Sequence, residues 1–121
     1  MTKILAVDNN RTVLKTISRQ LEHLKYDVLT ATNEEEAMAV YLRERPIDLV
    51  LIDVVLSDDT SGHDLADAML ERDPAQKVLL MSGYSPEVQS KYRTHLRSYP
   101  IVQKPFRINE AKRLIRELIA G

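Results

Sequence analysis

Four polar groups stand directly after apolar runs in this chain: Asp8-Asn9 after residues 4–7, Asp53 after residues 49–52, Ser82-Gly83 after residues 78–81 and Lys104-Pro105 after residues 101–102. Brought into one crevice, they would have a shared chemistry. A carboxylate beside an acid and an amide makes an oxygen-rich site that suits Mg²⁺, a hard cation that keeps several waters and often shares phosphate oxygens. A lysine ammonium pairs with a phosphoryl oxygen, and a serine hydroxyl donates to another. The carboxylate of Asp53 can itself be the nucleophile, forming an aspartyl-phosphate. Taken singly, each residue is an ordinary helix cap or turn former. As a set at the ends of four strands, they point to a ligand site.

The elements that would position them are legible from periodicity. Short runs rich in Val, Ile and Leu at 4–7, 28–31, 49–52, 78–81 and 101–102 do not alternate with polar residues, as expected of strands buried on both faces. Between them the period changes. Val13, Ile17, Leu21 and Leu24 form one helical stripe, and Ala111, Leu114, Ile115, Leu118 and Ile119 form another. Asn33 with Glu36, and Ser61 with Asp64, have the spacing of an N-cap and a reciprocal acid. Ser85 followed by Pro86 suits the start of a further helix with the stripe Val88, Tyr92, Leu96 and Tyr99. Five strand–helix alternations predict an α/β domain with a single five-stranded parallel sheet and helices on both faces. A flavodoxin-like (βα)5 order, 2-1-3-4-5, gathers Asp8, Asn9, Asp53, Ser82 and Lys104 at one edge and leaves the strand without such a residue outermost.

Composition narrows the function classes. The 121 residues carry 17 Lys and Arg against 18 Asp and Glu, so bulk electrostatics do not favour nucleic acid or anionic membrane. A helix-turn-helix segment is missing, and five tyrosines with one phenylalanine are too few for a base-stacking platform. Without cysteine there is no thiolate nucleophile, Fe–S cluster or Cys-type zinc site. The three glycines form neither a Gly-x-Gly-x-x-Gly pattern nor a P-loop. No apolar run approaches the roughly 18 residues of a membrane span, and an acid follows the N-terminal apolar residues too early for a signal peptide. The reading is one domain, 1–121, located in the cytoplasm.

At these residues the chain resembles the receiver domain of two-component response regulators, from the acidic end of the first strand through Lys104-Pro105-Phe106. The stretch from Asp53 to Gly62, with Ser82-Gly83-Tyr84 and Gln103-Lys104-Pro105-Phe106, is most similar to receivers associated with hybrid sensor histidine kinases. The resemblance implies that Asp53 accepts a phosphoryl group from the phosphohistidine of a sensor histidine kinase or a histidine phosphotransfer protein. It implies bound Mg²⁺, replaceable by Mn²⁺, held by Asp8, Asn9, Asp53 and the Val55 backbone carbonyl. Ser82 matches the switch hydroxyl and Lys104 the lysine of the site. Output is expected through the fourth and fifth helices and the fifth strand, toward an output domain or a second receiver. No turnover on an external substrate is expected.

Three positions depart from the family pattern. Asn9 replaces the second acid of the pair, which predicts weaker Mg²⁺ binding; Asp58 and Asp59 are candidates to restore some local charge. Ile101 stands where the aromatic switch residue is usual, which favours a movement centred on Ser82; Tyr84 and Tyr99 read as packing residues. Ser57 replaces a usual proline, and Gly62 lies one residue later than in the shorter family loop. Val55 and Tyr84 occupy the positions that would hold a hydrolytic water, which predicts slow loss of the phosphoryl group. The basic residues Lys91, Arg93, His95, Arg97, Arg107, Lys112, Arg113 and Arg116 suggest a positive output face for an acidic partner. Two rival readings remain at this point. An aspartate-nucleophile phosphohydrolase of the haloacid-dehalogenase type would need a second Asp where Val55 stands, and a docking module independent of phosphorylation has only Asn9 in its favour.

Overall fold

The computed structural model describes residues 1–57, 59–83 and 99–121. The strands are β1 (Lys3–Val7), β2 (Asp27–Ala31), β3 (Leu49–Asp53), β4 (Val78–Ser82) and β5 (Ile101–Gln103), and the helices α1 (Arg11–His23), α2 (Glu34–Arg43), α3 (Gly62–Arg72) and α4 (Ile108–Ala120). All strand pairs are parallel, in the order β2-β1-β3-β4-β5. This is the expected order. The segment predicted as a helix from Ser85 through Leu96 lies outside the described residues, together with Asp58, Tyr84, Lys91, Arg93, His95 and Arg97.

The apolar runs explain the layering. β3 and β4 are buried at every residue, whereas β2, the outer strand, is buried only at Ala31. Because side chains alternate along a strand, each strand feeds both faces. Leu5, Val7, Val50, Ile52 and Leu80 pack with Ala37, Tyr41, Leu65 and Met69 of α2 and α3. Ile4, Leu49, Leu51, Leu79 and Met81 pack with Ile17, Leu21, Ala111 and Ile115 of α1 and α4. The predicted α1 stripe shifts slightly, since Leu14 is buried with Ile17 and Leu21 while Val13 and Leu24 are only partly covered.

Helix starts follow the capping chemistry. Asn33 Oδ1 accepts from the Glu36 N–H at 2.8 Å, and Ser61 with Asp64 forms a complete capping box. In α2 the acid serves a different partner: Glu36 Oε2 accepts from the Thr32 hydroxyl at 3.3 Å. At the end of the sheet remote from the candidate site, the buried Tyr41 hydroxyl donates to Gln76 Oε1 at 2.9 Å, and Gln76 Nε2 donates to the carbonyls of Ile47 and Lys77. Tyr41→Phe leaves that buried amide oxygen without its donor. It is expected to cost about 1–3 kcal/mol in urea unfolding; a loss below about 0.5 kcal/mol would show that the network does not carry this load.

Candidate functional site

Register brings the chemistry to one edge. Val7 pairs with Ile52, so Asp8 and Asp53 emerge level from neighbouring strands, and Asp53 is opposite Met81, one residue before Ser82. Ser82 pairs with Gln103, which puts Lys104 next in line. The strands run one residue further than the apolar runs suggested, so Asp53 and Ser82 are the last residues of β3 and β4 rather than the first of loops. Strand backbone therefore holds them.

Lys104 closes the site. Its Nζ donates to Asp8 Oδ2 at 3.0 Å and lies 3.4 Å from Asp53 Oδ2, bridging two carboxylates. Its backbone N–H donates to the Ser82 carbonyl at 2.7 Å, anchoring the lysine to β4. The Lys104–Pro105 peptide is cis. Asp8 is fully buried, and its Oδ1 accepts from the Asn10 N–H at 2.9 Å. Ser82 is 1% exposed. Burial above all, and then the Asp8 carboxylate, push the Asp53 carboxyl above its ordinary value; Lys104 and the Val55 N–H pull the other way.

The loop after Asp53 is held to the site at both ends. Gly62 remains against β3, where its N–H donates to the Val54 carbonyl at 2.7 Å. A Cβ there would fall 2.3 Å from the Asp53 carbonyl oxygen, so only glycine fits. Ser57 Oγ accepts from the N–H groups of Asp59 and Thr60, and the Leu56 and Ser57 N–H groups donate to the Thr60 carbonyl. Ser57 thus ties itself to Thr60 through both its side chain and its backbone. The Thr60 hydroxyl donates to Glu34 Oε2 at 3.1 Å and ties this loop to α2.

Not every candidate enters the site. Asn9 is exposed at its mouth, and its side chain makes no hydrogen bond among the described residues. Asp59 is exposed in the Ser57 turn and makes no ion pair among the described residues. Tyr99 is buried in the core, its hydroxyl donating to Asp67 of α3 and its ring beside His63, while Ile101 packs against the same cluster. Asn10 was the residue that periodicity alone passed over. It caps α1 through the Thr12 and Val13 N–H groups and braces Asp8; an Asn just before the α1 stripe is the signal that marks it.

The donor set fits a divalent oxygen-seeking cation. Two level carboxylates, an amide at the mouth and a Val55 carbonyl that accepts no backbone hydrogen bond among the described residues suit an ion that takes few carboxylates and retains water. Among the described residues no three His, Cys, Asp or Glu side chains group to hold a metal. Among those residues, too, no helix is long and apolar enough to cross a membrane.

Comparison with known proteins agrees with this geometry. Residues 4–116 match the family described as the response regulator receiver domain. The alkaline phosphatase synthesis transcriptional regulatory protein PhoP of Bacillus subtilis is 26% identical over 117 residues, which are 97% of this chain and 48% of PhoP. The chain spans half or less of the length of the curated relatives it matches first. A response regulator receiver domain protein from Clostridium thermocellum superposes with a TM-score of 0.87 over 99% of this chain and 95% of its own, at 23% identity, a likeness of fold. The response regulator TrrA of Thermotoga maritima, solved in complex with Mg²⁺-BeF, is 27% identical with a TM-score of 0.83, covering 98% of this chain and 99% of TrrA. With the family's sequence pattern running from residue 4 to residue 116 along a sheet of the expected order, the chain belongs to the response regulator receiver domains of two-component signalling.

Proposed function

We propose that Asp53 is the phosphoacceptor, served by Asp8, Ser82 and Lys104. The observation that carries this reading is the Lys104 ammonium held 3.0 Å from Asp8 and 3.4 Å from Asp53, a cation already stationed beside the carboxylate that would receive a phosphoryl group. The donor is a phosphohistidine on a sensor histidine kinase or a histidine phosphotransfer protein. An Asp53 carboxylate oxygen attacks phosphorus, the P–N bond breaks, and the imidazole leaves with the electron pair and takes up a proton. Lys104 then exchanges a carboxylate for a phosphoryl oxygen, and the Ser82 hydroxyl donates to another. Asp8, Asn9, Asp53 and the Val55 carbonyl would hold Mg²⁺, or Mn²⁺ in its place. Bound there, such an ion would supply positive charge to offset that on the phosphoryl oxygens. Asn9 supplies an uncharged oxygen, so affinity is lower than with a second acid.

Because Lys104 is anchored to Ser82 through the backbone, a shift of its side chain is transmitted to the ends of β4 and β5 and so to α4. The reader of that change is an output domain or a second receiver. The chain acts as a switch rather than on an external substrate, and is placed in the cytoplasm, where histidine kinases present their phosphohistidines.

Incubation with acetyl phosphate and Mg²⁺, followed by intact mass over time, tests the assignment. A lasting gain of one phosphoryl group that Asp53→Asn lacks supports it. Continuous phosphate release would favour a hydrolase, and no gain would leave a docking module. Val55, 42% exposed beside Asp53, cannot orient a water. Val55→Asn is expected to speed dephosphorylation about tenfold or more, the scale of a positioned polar group; an unchanged rate would remove Val55 from control of the lifetime.

A further inference from the structure

The basic residues of α4 do not form one face. Arg113 pairs with Glu117 at 3.5 Å on the outward side, while Lys112 and Arg116, one turn apart, look across toward the end of α1. There they meet His23 and Lys25 around a cleft of about 690 Å³ whose apolar lining includes Leu24, Tyr26 and Ile119. The cleft also borders Thr2, at the start of β1, so it lies at the end of the sheet opposite Asp8 and Asp53. No carboxylate lines it, and none of the four basic side chains is ion-paired among the described residues. Glu22, the neighbouring acid on α1, faces elsewhere and accepts from Ser18.

The backbone at Lys25 adds an independent sign. The Tyr26 N–H donates to the Leu21 carbonyl and the Lys25 N–H to the Glu22 carbonyl, a Schellman ending for α1. Its pivot residue has φ 71°, where glycine is favoured, yet lysine stands there. A residue that strains the backbone and brings a cation to the rim is placed at a cost to the fold, which points to use of its side chain.

We propose that this cleft docks an acidic polypeptide segment of a partner protein, one with an apolar side chain among its carboxylates. The apolar side chain would cover Tyr26 and Ile119, and the carboxylates would reach the surrounding cations. A compact phosphate fits less well. The cations are spread around an apolar lining, and α1 presents its carbonyl end, whose partial negative charge opposes a concentrated dianion.

The test is an amide-resolved NMR titration of the whole chain with a synthetic twelve-residue Glu-rich peptide carrying one Leu, its Glu→Gln counterpart and inorganic tripolyphosphate. The acidic peptide should shift amides of residues 2, 23–26 and 112–120, more weakly as salt rises. The double variant Lys112→Gln with Arg116→Gln, changes at a half-buried and an exposed position that keep helix propensity, should weaken binding roughly tenfold. Lys25→Gly should weaken binding while raising Tm by roughly 4 °C, a combination that a purely structural role for Lys25 does not produce. Equal binding of the Gln peptide, shifts centred elsewhere, no shifts at millimolar peptide, or tighter binding of tripolyphosphate at these residues would each overturn the proposal.

Discussion

Asp53→Asn is expected to abolish phosphoryl gain and at the same time to melt higher than the parent at pH 7 in metal-free buffer. The two effects have one cause. The parent side chain is 11% exposed and faces Asp8, and together these outweigh Lys104, so the folded protein holds its proton more tightly than the unfolded chain does. A carboxyl with a raised folded value contributes stability that is fully present below the ordinary value of about 4 and is lost as pH rises through the folded one. The amide carries no charge to desolvate and leaves Lys104 paired with Asp8. The gain is expected to shrink toward zero as pH falls below about 4. Melts from pH 3.5 to 8 would show it. If the variant melts lower than the parent at pH 7, attraction to Lys104 exceeds the combined cost of burial and Asp8. Mg²⁺ in millimolar amounts should raise the parent more than the variant and narrow the gap, since a ligand that binds only the folded state stabilises it.

Gly62→Ala is expected to cost about 3 kcal/mol, at the upper end for overpacking a rigid contact. The added methyl would lie 2.3 Å from the Asp53 carbonyl oxygen, 3.0 Å from its carbonyl carbon and 3.1 Å from Ile52 Cγ2. Two of these are backbone atoms of β3, which is paired on both sides and cannot withdraw as a flexible side chain would. Alanine's better helix propensity, up to about 1 kcal/mol, offsets only part of this. The strain falls on Asp53, the proposed phosphoacceptor, so phosphorylation by acetyl phosphate should also slow, by about a hundredfold for a displacement near 1 Å. Urea unfolding and the rate of mass gain measure the two effects. A loss under about 1 kcal/mol with an unaltered rate would mean that α3 moves away from β3 without disturbing Asp53.

Several particulars could be read without coordinates because they rest on local rules. Continuous Val, Ile and Leu runs mark strands covered on both faces, and 3.6-residue stripes mark the helices that cover them. Ser61 with Asp64 specifies a capping box that forms as written. The end of a strand is where a chain leaves the sheet, so Asp53, Ser82 and Lys104 could be assigned to one edge once the order was supposed. The residues between 84 and 98 bear part of the expected output face and lie outside the described residues.

By itself, then, the amino-acid sequence determined which of the described segments form strands and which form helices, and that acids, a hydroxyl and a lysine are available where the strands stop. Only the tertiary structure decided how those groups act on one another. Lys104 and Asp8 are 96 positions apart, and nothing in the period of either segment specifies a 3.0 Å contact or its extension to Asp53. The same holds for Gly62 beneath the Asp53 carbonyl, for Ser57 tied to Thr60, and for Lys112 and Arg116 turning toward α1 instead of joining Arg113. Periodicity reports which side of an element is apolar. Charge coupling, desolvation and steric exclusion depend on separations of a few ångströms between distant segments, and those separations exist only after the sheet has closed and its two helical layers have packed.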